Sequence, residues 1–168
     1  METPMELNVK LEATRIERME IEGNTKGNVM DRRSISGHCT LVGSNLVSQR
    51  SKNQMVLAKS STEAEFQAAA HGICELVWLK KLLKDMKIPT PLPMMLYCDN
   101  KTAINIAHNP VQHDRTKHVE VDLKNGLIYM PYIPTEEQLA DVLTKGLMKG
   151  QFDNLTCKLG TQDIFKSA

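Results

Sequence analysis

The stretch "PMMLYCDNKTAINIAH" (residues 93–108) sets an acid at an awkward place. Its first residues, Pro93 to Leu96, form an apolar run of the kind that makes a buried strand, and Thr102 to His108 begins a helical pattern. Asp99 therefore falls where the strand Met94–Cys98 gives way to the helix Lys101–His108. A carboxylate at that junction requires a partner, which is a helix N-terminus, a cation or a metal.

Upstream of this stretch, Thr62 to Lys87 contains no proline, and Phe66, Ala69, Ala70, Ile73, Leu76, Val77, Leu79, Leu83 and Met86 recur at three and four. The spacing predicts one long amphipathic helix. Ser60, Ser61 or Thr62 can cap it, with Glu63 and Glu65 in its first turn, and "IPTPLP" stops it. Earlier still, "RMEIEG" alternates as a strand ending at Gly23. "HCTLVGSNLVSQ" gives two β-leaning runs about the turn Gly43-Ser44-Asn45, and "NQMVLAKSS" a third strand, Met55 to Lys59. Downstream, a polar segment around "NPVQHDRTKHVEVD" leads to a strand over Gly126 to Ile133, then a helix over Thr135 to Leu147. The order β-β-β-α-β-α-β-α implies an α/β fold, one mixed sheet with helices on its faces.

The chain has 168 residues, enough for one domain with a real core. Its 21 basic and 20 acidic residues nearly cancel, so overall charge makes no case for nucleic-acid binding. Cys39, Cys74, Cys98 and Cys157 lie far apart, which reads as reduced, mostly buried thiols of an intracellular protein. His113 and His118 have no cysteine pair nearby to complete a zinc set, and no apolar run is long enough to cross a membrane. Trp78, the only tryptophan, reads as core or helix-interface packing.

Three acids stand at element edges beside apolar patterning: Glu65, Asp99 and Asp141. Each alone has an ordinary explanation, as a dipole partner for Glu65, a helix cap for Asp99 and a solvated face for Asp141. Together they carry more, because carboxylates that converge in apolar surroundings repel unless a cation neutralises them. Oxygen ligands suit Mg²⁺ or Mn²⁺ better than zinc.

The segments "SSTEAEFQAAAHGICELVWLKKLL", "LYCDNKTAINIAHNPVQHDRTKHVEVD" and "PYIPTEEQLADVLTKGL" resemble the ribonuclease H domain of Copia-type LTR retrotransposon Pol polyproteins, especially those of plants. "DRRSISGHCTLVGSNLVSQRSK" resembles the preceding hairpin of that domain. The resemblance implies a ribonuclease H-like mixed sheet of five strands with helices on its faces, left incomplete where the losses below fall. It implies a lead-in at 1–18, whose residues 1–11 resemble a reverse transcriptase remnant, the domain itself at 19–150, and a polyprotein tail at 151–168. It further implies Mg²⁺- or Mn²⁺-dependent cleavage of the RNA strand of RNA–DNA hybrids, in a cytoplasmic particle or the nucleus, beside the reverse transcriptase region. The family takes one acid each from the first strand, first helix, fourth strand and last helix, and the last three fall on Glu65, Asp99 and Asp141. Glu63 is the weaker choice of the two acids in "TEAE". Arg32, Arg33, Arg50 and Lys52 are candidates for hybrid-backbone contact.

The departures bear on activity. Aligned on "IEG", the chain reads "IEGNTKGNVMDRRS", so that Lys26 falls where the family has its first-strand aspartate. Further losses follow Asp122, where a helical stretch of the family is missing, and Leu11. Three readings follow: a hybrid ribonuclease impaired by the missing acid, an active ribonuclease, and a non-enzymatic scaffold adopted by the host.

Overall fold

Side chains alternate across a strand and recur every three to four residues along a helix, and these two periods build the layers of the molecule. The computed structural model describes residues 16–24, 34–43, 45–55, 59–108 and 117–160. Strands β1 (Ile16–Asn24), β2 (Ile35–Val42) and β3 (Asn45–Asn53) form an antiparallel meander. Helix α1 (Ser61–Asp85) then crosses to β4 (Met94–Tyr97), which pairs in parallel with β1. Helices α2 (Lys101–His108) and α3 (Lys117–Lys124) lead to β5 (Ile128–Tyr129), parallel to β4. The sheet order is β3-β2-β1-β4-β5, so the expected mixed five-stranded sheet is present.

Helix α1 starts where its chemistry directs. Ser60 accepts a hydrogen bond from the Glu63 N–H at 3.1 Å, and the Glu63 carboxylate accepts from the Lys59 N–H at 2.7 Å. The first bond satisfies a donor that the helix start leaves exposed, and the second ties the residue before the cap to the first turn. The helix buries Phe66, Ala69, Ile73, Leu76, Leu79 and Leu83 against Met94, Leu96 and Ile128 of the sheet. A second core lies apart from the first: Cys39 and Leu41 of β2 pack with Leu139, Ala140, Leu155 and Leu159. Alternation along β2 divides the two, since His38 faces α1 while Gly37 faces the C-terminal helices.

Several expectations are corrected. Trp78 is 55% exposed on α1, and Cys74 and Cys157 are exposed while only Cys39 and Cys98 are buried. Met55 and Lys59, expected in a strand, lie in bends, and residues 56–58 fall outside the described ones. The polar segment before β5 contains α3, in which Leu123 packs on the first core and supplies the anchor that its polar sequence obscures. The strand expected over Gly126–Ile133 is reduced to β5 and a single bridge between Cys98 and Tyr132, because Pro131 has no N–H to continue a ladder.

The helix expected over Thr135–Leu147 is broken. A 3₁₀ turn at Thr135–Glu137 ends in extended backbone at Gln138, and α4 (Asp141–Thr144) follows. So short a helix has little stability of its own, and burial of Leu139 and Ala140 in the second core decides the path. Helix α5 (Lys149–Lys158) lies in the stretch taken as a tail, and its Leu155 is fully buried.

Candidate active site

Glu65 sits in the second turn of α1, flanked by the buried Ala64 and Phe66, and is itself only 4% exposed. The Gln54 amide fixes this end of the helix, donating to the Ala64 carbonyl at 2.9 Å and to the Ser36 hydroxyl at 2.6 Å. Glu63, by contrast, spends its carboxylate on the helix start. The structure thus separates the two acids of "TEAE" by task.

Asp99 follows β4, and Cys98 is held in place by its backbone: its N–H donates to Pro131 at 3.2 Å, and its carbonyl accepts from Ile133 at 3.0 Å. Asn100, not Asp99, caps α2, since its side-chain oxygen accepts from the Ala103 N–H at 3.0 Å. Asp99 is left to accept from the Thr135 hydroxyl at 3.0 Å. Glu65, Cys98 and Asp99 bring one donor atom each within 4.8 Å of the others.

Asp141 opens α4 and is 1% exposed, so it is no solvated surface acid. Its carboxylate lies 3.0 Å from the Lys145 ammonium, which also stands 4.0 Å from Asp99 Oδ2. Gly37 makes this approach possible. A Cβ there would meet Thr144 Cγ2 at 2.6 Å and Leu143 Cβ at 3.2 Å, so only glycine lets α4 lie so near β2. The helix N-terminal acid and the strand-end acid are consequently joined through one lysine.

Two residues of this cluster were not singled out from the sequence, Cys98 and Lys145. Cys98 was visible as the neighbour of Asp99, and Lys145 as the residue one helical turn beyond Asp141. Lys26, Arg32, Arg33 and His113 lie outside the described residues. Arg50 and Lys52 are exposed on β3 at the rim of a cavity of about 410 Å³ between the hairpin and α1, with His38, Gln67 and His71 also in its wall. They stand beside that cavity and are not part of the acid cluster.

The hard carboxylate oxygens of Glu65 and Asp99 fit a divalent cation of the Mg²⁺ or Mn²⁺ type, whereas the Cys98 sulfur beside them is a soft donor that neither ion prefers. Among the described residues, no helix is long and apolar enough to cross a membrane.

The fold is similar to that of a solved structure, the N-terminal RNase H domain of rv2228c from Mycobacterium tuberculosis, determined as a fusion with maltose binding protein. The TM-score is 0.54 at 14% identity, covering 86% of this chain and 97% of that one. The fold is therefore ribonuclease H-like. Sequence relatives narrow the class. The chain is 35% identical over 138 residues to the retrovirus-related Pol polyprotein from transposon RE1 of Arabidopsis thaliana, covering 78% of the chain and 9% of the relative. It is 36% identical over 141 residues to that from transposon RE2 of the same plant, covering 80% and 10%. The corresponding polyprotein of transposon TNT 1-94 from Nicotiana tabacum is 30% identical over 139 residues, covering 79% and 10%. The chain is a ribonuclease H-like domain of the Copia-type retrotransposon Pol polyprotein family. It spans about a tenth of the length of those curated relatives. No family model matches the chain.

Proposed function

We propose that this domain binds a divalent cation and an RNA–DNA hybrid, and that its cleavage of the RNA strand is impaired. The observation that carries the first part is the gathering of donor atoms from Glu65, Cys98 and Asp99 within 4.8 Å, with Asp141 beside them through Lys145. Divalent ions bound there supply an activated water and a countercharge for the leaving oxygen in phosphodiester hydrolysis. Glu65 and Asp99 hold the charge that attracts them, and Thr135 orients one Asp99 oxygen. Asp141, across Lys145 from Asp99 and outside that group of donor atoms, is the third carboxylate of this reading. The hybrid as substrate is supported by the resemblance to the ribonuclease H domain of Pol polyproteins, in which a reverse transcriptase region is the neighbour. Arg50 and Lys52, exposed on β3, are candidates to touch its backbone.

The impairment rests on Lys26, which in the sequence alignment stands where the family has its first-strand aspartate. A cation at a position that should bridge metal ions repels them. A loss of about 4 kcal/mol of transition-state stabilisation slows cleavage by roughly 10³.

The purified chain, incubated with a labelled RNA–DNA hybrid in Mg²⁺ or Mn²⁺, is expected to cut no faster than about one thousandth of an intact domain of the family. Lys26→Asp is expected to restore cleavage. Brisk cleavage by the unaltered chain that Asp99→Asn abolishes would establish the active reading instead.

A further inference from the structure

We infer that Lys145 is a built-in counter-cation of the acid pocket, and that a divalent ion binds there only by displacing its ammonium group. The inference rests on the metal-binding reading above and adds to it the residue that sets the strength of binding. Carboxylates taken out of water need an opposite charge close by. Asp141 is 1% exposed and the Asp99 side chain 10%, and the Lys145 ammonium lies 3.0 Å from one and 4.0 Å from the other.

Its placement also follows from the backbone. Asp141 and Lys145 are one turn apart, and the Lys145 N–H donates to the Asp141 carbonyl at 2.9 Å, which fixes the root of the side chain at the end of α4. The ammonium, whose side chain is 29% exposed, can swing outward to solvent on its flexible stem without moving the helix. One site thus has two possible occupants of positive charge, an internal one always at hand and an external one that must compete. The pocket is partly neutralised in the absence of metal, and its affinity for Mn²⁺ is lowered accordingly.

The test compares the full chain with Lys145→Met by Mn²⁺ titration, reading free Mn²⁺ by electron paramagnetic resonance, with Asp99→Asn in parallel. Lys145→Met is expected to bind Mn²⁺ about tenfold more tightly. In chelator it should melt below the unaltered chain, and Mn²⁺ should recover that difference, which loss of a merely structural contact would not allow. Unchanged or weaker Mn²⁺ binding by Lys145→Met overturns the inference. If both forms bind equally and Asp99→Asn abolishes binding, the metal-site reading stands while this inference falls. If neither form binds, both fall.

A second measurement needs no variant. Acetic anhydride labelling of the unaltered chain, read by mass spectrometry, should modify Lys145 severalfold faster in saturating Mn²⁺ than in chelator. Equal labelling under the two conditions overturns the displacement.

Discussion

His38 projects from β2 toward α1, buried to 9% exposure, and its Nε2 has no hydrogen-bond partner among the described residues. Burial pushes its pKa below the ordinary 6.5; Glu75 opposes that shift, while Arg50 and His71 reinforce it. The unfolded chain therefore takes up the proton first as pH falls. The contribution of His38 is intact above about pH 6.5 and is lost as pH drops below that value toward the folded-state pKa, with a slope of at most about 1.4 kcal/mol per pH unit. Urea melts at about pH 7.5 and 5.5 should show a larger loss for the unaltered chain than for His38→Gln, and equal losses would contradict this account. At the same scale, the acids were legible because Glu65, Asp99 and Asp141 each sit beside apolar patterning at the edge of an element. The ordinary explanations gave way to particular contacts: Asn100 took the capping role offered to Asp99, and burial removed Asp141 from solvent. Lys145 stayed hidden because a lysine four residues beyond an acid is usually a surface pair on a helix, and only the approach of Asp99 makes it more.

Helix α1 closes in a Schellman arrangement, with the Ile88 N–H on the Leu83 carbonyl and the Lys87 N–H on that of Lys84, both at 2.9 Å. That closure requires a left-handed residue, and Lys87 occupies it with φ of 60° where glycine would be at ease. Lys87→Gly is expected to stabilise the domain by about 1 kcal/mol, raising the melting temperature by about 2–4 °C. A scanning calorimetry trace without that rise would show the strain to be absorbed elsewhere. Elements with a strong period were legible in the sequence: α1, the β2–β3 hairpin and β4 stand within a few residues of their expected bounds. The C-terminal third was not. Its helices are short, their few apolar residues are shared between two cores, and the break at Gln138 is set by packing of Leu139 and Ala140, which no local pattern announces.

Across the whole molecule, a parallel β1–β4 pair at the centre of the sheet brings the end of β4 beside the first turns of α1, while Gly37 admits α4 from the opposite face. Glu65 and Asp99, distant in sequence, come together because of that topology, and a mixed sheet, though not its strand order, was legible from three strands followed by alternating helices and strands. What the order could not reveal was which side chain each acid would meet. The central claim is that Glu65, Asp99 and Asp141 serve one cation. Mn²⁺ titration of Glu65→Gln, Asp99→Asn and Asp141→Asn, each checked for folding by circular dichroism, tests it most directly. Every one of the three is predicted to weaken a single Mn²⁺ site by about tenfold or more; folded variants with the affinity of the unaltered chain would contradict it.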